Sequence, residues 1–145
     1  MATELSIIET LTDTAVDSAL GYETASELAD NAGLKQTLRE QAGKRRDTVR
    51  MLNAEIVRLG GEPRESGSTM GAAHRAFTSL ADAFEDSNEA AAERVEEGED
   101  YIEQKFRAAL DHQDLTAEAR VVIQRAHDEI SKGERITDVL KKRFA

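Results

Sequence analysis

Glu99, Gln124 and His127 are the residues whose types and spacing come closest to a metal site. Glu99 lies in the apolar stripe of its predicted helix, four residues after Val95 and three before Ile102. Gln124 and His127 are three residues apart, a spacing that places two side chains on one helical face. Carboxylate-bridged di-iron sites in helical bundles use a Glu on each of two helices and a Glu-x-x-His pair on each of the other two. This sequence offers one carboxylate and one histidine of that set, with a neutral glutamine where a glutamate is needed.

Arg45 indicates a different chemistry. It falls near the middle of the apolar stripe of the second predicted helix, as Glu99 does in its own stripe. A lone buried carboxylate is costly, whereas a buried pair is tolerated when its hydrogen bonds are good. We therefore predict that Arg45 pairs with Glu99, with Tyr22 or His127 completing a buried polar network. No cofactor is favoured on this interpretation; the alternative is iron or manganese, held by Glu99 and His127.

Helical periodicity determines how these side chains are positioned. Apolar residues recur at three- and four-residue steps, and Gly60-Gly61 with Pro63 beyond them is a strong helix stop. We expect Asn31 and Gly33 to end the first helix. Ser87 and Thr116 are the expected caps of two later helices. The predicted helices cover residues 4–30, 34–59, 70–84, 87–112 and 117–142.

The connections between the helices predict the topology. Two helical hairpins with short loops are separated by a connection of about 27 residues, from 60 to 86. The predicted fold class is therefore all-α, a ferritin-like four-helix bundle with a long crossover that contains a short extra helix. We expect one domain over residues 1–145, since this length is common for a single domain.

A signature of glycines and polar residues surrounds the crossover. Its parts are Leu59-Gly60-Gly61-Glu62-Pro63, Ser66-Gly67-Ser68, Gly71, His74-Arg75 with Phe77, Glu97-Gly98-Glu99-Asp100, and Gly21-Tyr22. These segments resemble a bacterial ferritin-like family that is catalogued as a domain of unknown function. The resemblance spans nearly the whole chain. It implies a ferritin-like bundle, often described as stress-associated, without an established activity.

The predicted crossover helix carries its own candidates. His74 lies on or beside the apolar side of that helix, and we expect His74 and Arg75 to anchor it to the bundle; the alternative is a role in binding a ligand or substrate. Phe77 and Phe84 lie on one side of the same helix. They suggest a further alternative, a protein–protein interaction module that docks a partner on this helix.

Charge and composition narrow the partners. The chain has 29 acidic and 19 basic residues, a formal charge of -10, and no cysteine. Nucleic acid and anionic membranes both attract basic surfaces, so neither is expected as a partner. Thiolate chemistry is excluded, and the default location is the cytoplasm because neither a signal peptide nor a membrane-spanning run is recognised. A homodimer is compatible with a bundle of this class.

These observations favour a non-catalytic bundle protein with a binding or structural role. No hydrolase elbow and no phosphate-binding glycine loop is found in the sequence. The alternative function is that of a ferritin-like di-metal oxidase or iron-handling protein that uses iron or manganese.

Overall fold

A computed structural model describes residues 3–65 and 86–145, and every regular element in them is an α-helix. The helices are α1 (Glu4–Leu28), α2 (Ala32–Arg58), α3 (Ser87–Leu110) and α4 (Ala117–Arg143). The all-helical prediction is confirmed for these ranges, and the predicted helix ends agree to within about two residues. The predicted helix 70–84 lies outside the described residues, as do His74, Arg75, Phe77 and Phe84.

Short polar residues begin each helix by accepting hydrogen bonds from its free amides. Thr3 and Ser6 form a reciprocal capping box at α1, and Thr116 caps α4 as predicted. Two expectations were wrong. Asn31 does not end α1 but caps α2, accepting from the Leu34 amide at 2.9 Å, and Asp86 rather than Ser87 caps α3. A carboxylate accepts from the free amides more strongly than a hydroxyl does.

Gly60 and Gly61 end α2 as the sequence predicts. Gly60 has φ +90°, a conformation that suits glycine, and its amide donates to the Val57 carbonyl. The Gly61 amide donates to the Ile56 carbonyl, which completes a Schellman motif. A Cβ on Gly61 would lie 2.9 Å from side-chain atoms of both Ile56 and Leu5, so the chain leaves α2 in close contact with α1.

The relative directions of α2 and α3 can be read from the hydrophobic cluster that each half of each helix joins. Leu52 of α2 and Phe106 of α3 lie in one cluster, and both come from the carboxyl halves of their helices. Leu38 and Val95, from the amino halves, share the other cluster. Helices α2 and α3 therefore run in the same direction, and the end of α2 and the start of α3 lie at opposite ends of the bundle. Both α1 and α4 pack against α2 and α3, so α2 and α3 lie diagonally opposite.

The core consists of two clusters that differ in side-chain size. The aliphatic cluster is built mainly from large residues, including Ile8, Leu52, Ile102, Phe106, Ile123 and Ile130. The alanine-rich cluster includes Tyr22, Leu34, Leu38 and Leu140 together with Ala25, Ala29, Ala42, Ala91 and Ala92. The buried Arg45 and Glu99 belong to neither cluster and lie between the two in helical position.

Candidate functional site

A guanidinium and a carboxylate form a two-point ion pair at the centre of the bundle. Arg45 Nη1 lies 2.7 Å from Glu99 Oε1, and Arg45 Nη2 donates a hydrogen bond to Glu99 Oε2 at 2.7 Å. The side chains are 4% and 1% exposed, so the pair is shielded from water. One of these contacts is a hydrogen bond and the other is a close charge contact, and a planar guanidinium suits such a two-point approach to a carboxylate. The pair joins the diagonal helices α2 and α3 directly.

Helix α1 completes the polar network with a hydroxyl and an aromatic ring. Arg45 Nη1 also donates to Ser18 Oγ at 2.6 Å, and that hydroxyl donates to Glu99 Oε1 at 3.4 Å. The guanidinium carbon lies 5.7 Å from the centre of the Tyr22 ring, within the range of a cation–π contact. One turn of α1 therefore supplies a hydrogen bond to both members of the pair and an aromatic face to the cation.

The Tyr22 hydroxyl is buried and makes no hydrogen bond of normal geometry in the described part of the chain. Burial raises the pKa of Tyr22 well above its ordinary value, and the neighbouring Glu99 charge raises it further, while the Arg45 charge lowers it. Tyr22 therefore stays neutral beside the pair. Its contribution to the network is the ring face and the exclusion of water.

Helix α4 approaches the pair at Gly133, which has no side chain. A Cβ built on Gly133 would lie 2.5 Å from Glu99 Oε2 and 3.0 Å from Arg45 Nη2. Real Cβ atoms do not approach other atoms so closely, so a larger residue at position 133 would force the pair or α4 to move. We call Ser18, Tyr22, Arg45, Glu99 and Gly133 the central layer; every helix contributes to it.

His127 lies outside the central layer, although the sequence analysis placed it in the buried network. Its Nε2 is 3.1 Å from Glu103 Oε1, and the Glu103 carboxylate also binds Arg107. Glu103 is four residues after Glu99 on α3, so His127 lies about one helical turn from the pair. Gln124 donates to Asp128 at 3.0 Å on its own helix. Glu99 and His127 thus have separate partners and share no hydrogen bond.

Residues 3–65 and 86–145 contain no group of three or more His, Asp or Glu side chains that could hold a metal ion. The oxygens of Glu99, the carboxylate best placed for a ligand, face the guanidinium of Arg45 at 2.7 Å. A cation at Glu99 would meet that positive charge at short range.

A second charged cluster lies on the outer side of α3 and α4. Lys141 Nζ is 3.6 Å from both Glu93 Oε1 and Glu96 Oε2. Burial raises the pKa of Glu96, and the Asp100 carboxylate, which also shares a hydrogen bond with it, raises it further; Lys141 lowers it. The Glu96 and Glu93 carboxylates raise the pKa of Lys141 in turn. We call these four residues the outer cluster.

Arg64 is a positioning residue that sequence reasoning missed. Its guanidinium donates to both carboxylate oxygens of Asp13 at 2.7 Å and to Glu9 at 3.4 Å. The side chain of Asn53 donates to the Arg64 carbonyl at 2.9 Å and accepts from its amide at 2.7 Å. We call this set the Arg64 clasp; it holds the chain against α1 and α2 just after Gly60 and Gly61. The available signal was the four-residue spacing of Glu9 and Asp13.

None of the helices in the described ranges is long and apolar enough to cross a membrane. Comparison with protein-family models matches residues 3–112 to a family described as a domain of unknown function (DUF2383). None of the curated proteins matches the chain. The matched range covers α1, α2, α3 and the Arg64 clasp.

Proposed function

The chain belongs to the DUF2383 family, and from that premise and the central layer we propose that it is a non-catalytic bundle of ferritin-like topology with a binding or structural role. The observation that carries the proposal is the ion pair of Arg45 and Glu99 at the centre of the four helices. In a carboxylate-bridged bundle that position holds metal ions between helices. Here a guanidinium neutralises the carboxylate.

The topology supports the ferritin-like part of the proposal. Helices α2 and α3 run in the same direction, and the two hairpins have short loops. A bundle with one long crossover is the arrangement of ferritin-like folds. The resemblance of the crossover signature to a ferritin-like family points the same way.

The composition of the central layer supports the non-catalytic part. Metal-dependent catalysis needs several oxygen or nitrogen ligands around one point and an open position for substrate. The polar groups of the layer are instead paired with one another at 2.6 to 3.4 Å, apart from the neutral Tyr22 hydroxyl. The Glu99 side chain is 1% exposed, which leaves little room for a substrate beside it.

The alternative function, a di-metal oxidase or iron-handling protein, requires Glu99 and His127 to converge. The separate contact of His127 with Glu103 at 3.1 Å weighs against that convergence. Elemental analysis separates the two functions. The protein is purified from cells supplemented with iron and manganese, alongside Glu99→Gln and the control Glu97→Gln, whose carboxylate is exposed on the same helix.

We expect far less than one metal ion per chain in these three proteins and in His127→Ala, which removes the other candidate ligand. One or two ions per chain, lost in Glu99→Gln and in His127→Ala but kept in Glu97→Gln, would replace the proposal with the metal enzyme. Metal that is lost equally from both glutamine variants reflects surface binding and leaves the proposal standing.

The proposal includes a homodimer as the working oligomer, with a stress-associated setting as the resemblance implies. Four large apolar side chains of the described residues are exposed, and we take the three on α3 and α4, Tyr101, Val121 and Val139, as the candidate interface. Light scattering on the purified protein should give twice the chain mass. Changing all three residues to serine should reduce it to the monomer; an unchanged mass would remove this face from the proposal.

A further inference from the structure

We propose that the Arg45–Glu99 pair and Gly133 select the register of the helices, so that the bundle holds one arrangement rather than several displaced by a helical turn. The apolar contacts, the charge pair and the shape of α4 each bear on this inference. A buried ion pair is costly to desolvate, and the non-catalytic role proposed above does not explain why this bundle contains one.

The buried apolar residues of α1 and α2 discriminate poorly between arrangements in which a helix is displaced by one turn. Ala15 and Ala19 of α1 are four residues apart and fully buried. A shift of α1 by one turn would therefore replace alanine by alanine at that level. On α2, Leu34 and Leu38 repeat in the same way, as do Leu52 and Ile56. Small or similar side chains at four-residue steps give nearly equal packing in neighbouring registers.

The charge pair penalises those alternatives. A shift of α2 by one turn would bring Gln41 or Val49 to the position of Arg45. Glu99 would then be buried without a countercharge, the most unfavourable state for a carboxylate. Because the pair joins the diagonal helices α2 and α3, it also aligns helices that share few other contacts.

Gly133 imposes the same register on α4. It is the one glycine between 117 and 143, and α4 meets the pair at that residue. A shift of α4 by about one turn would bring Ile130 or Thr137 to this level. Either side chain carries a Cβ, which would lie about 2.5 Å from Glu99 Oε2. The fit of α4 is thus specified by shape, while that of α2 is specified by charge.

The test replaces the pair with apolar side chains of similar size, Arg45→Met together with Glu99→Leu. The chain has no cysteine, so spin labels can be placed on cysteines introduced at the exposed positions 39 on α2 and 125 on α4, which lie on opposite sides of the central layer. Double electron–electron resonance then measures the distance between the labels. A displacement of one turn moves a helix by about 5.4 Å along the bundle axis, and labels separated along that axis report most of this change.

We expect one narrow distance in the native background and at least two populations in the double variant, with a urea midpoint equal to or above the native one. Leu38→Met is the matched control, since it changes an apolar residue at constant volume, and it should keep one distance. A double variant with one unchanged distance would overturn the inference. So would a double variant that fails to fold, because the pair would then serve stability rather than register.

Discussion

Glu99 and Glu96 lie one turn apart on α3, yet their surroundings compensate the two negative charges to very different degrees. Glu99 is almost fully buried and receives two guanidinium contacts at 2.7 Å and a hydroxyl. Glu96 is 12% exposed, lies beside the like-charged Asp100 and reaches its cation, Lys141, only at 3.6 Å. The more buried carboxylate is therefore the better compensated one. The geometry of the partner, and not burial alone, decides whether a carboxylate is tolerated.

The largest change in stability should come from removing the partner of Glu99. Arg45→Met keeps most of the volume but leaves Glu99 buried and unpaired, so we expect a loss of about 3–5 kcal/mol in the free energy of unfolding. The measurement is urea denaturation at pH 7. The control is Arg50→Met on the same helix, whose side chain is 70% exposed and pairs with Asp47. It should change stability by less than about 1 kcal/mol. Equal losses would mean that the central pair behaves like a surface pair.

A smaller effect is expected from crowding the Glu99 site. Gly133→Ala would force the pair or α4 to move, and we expect a loss of about 1–3 kcal/mol by the same measurement. Gly98→Ala is the control, because its Cβ would meet only Arg94 Nη1, at 3.8 Å. Alanine is the better helix former, so that variant should gain about 0.5–1 kcal/mol. A loss of stability in Gly133→Ala together with a gain in Gly98→Ala would support a close contact at Gly133. A gain of stability in both variants would refute that contact.

The smallest effect should come from Glu96. Glu96→Gln removes the repulsion from Asp100 four residues later, and we expect a gain of about 0.2–0.5 kcal/mol at neutral pH. The raised pKa means that the folded protein holds this proton more tightly than the unfolded chain does. The unfavourable effect of Glu96 is therefore absent below its ordinary pKa of 4.5 and grows as the pH rises through the raised value.

Urea denaturation of the native protein and of Glu96→Gln, from about pH 4 to neutral pH, measures the difference between their free energies of unfolding. The two stabilities should converge near pH 4 and separate above it. A variant that is less stable than the native protein at neutral pH would show that the Lys141 contact outweighs the repulsion. In that case Glu96 and Glu99 would be stabilised alike, and the comparison between them would fail.

Periodicity was sufficient to predict α1 to α4 and the buried face of each of these helices. It placed Arg45 and Glu99 on inward faces, because charged residues at stripe positions are easily seen against an apolar repeat. It could not decide the partner of His127, since Glu103 and Glu99 lie one turn apart and the choice depends on how far α4 is displaced along α3. The side of a helix on which a residue lies follows from its own stretch of sequence. The height of that residue along the bundle axis depends on how the helices pack together.

Gly133 shows the same limit. Its spacing from the buried Ile130 and Thr137 puts it on the inner side of α4, but a glycine at such a position does not reveal which atoms approach it. Arg64 was missed for a related reason. It lies in a polar segment after α2 without periodicity, and its partners Asp13 and Glu9 are about 50 residues earlier in the chain. Contacts of irregular segments carry no repeating signal that a single sequence can display.

The Arg64 clasp has a consequence for how the chain is made. Asp13, Asn53, Gly61 and Arg64 all lie within the first 65 residues, so the hairpin of α1 and α2 can close on its own exit segment while the ribosome is still translating the second half. The Arg45–Glu99 pair has to wait for residue 99, and its fit against Gly133 waits for nearly the whole chain. Synthesis from the amino terminus therefore makes every residue of the clasp available before the central layer can be completed.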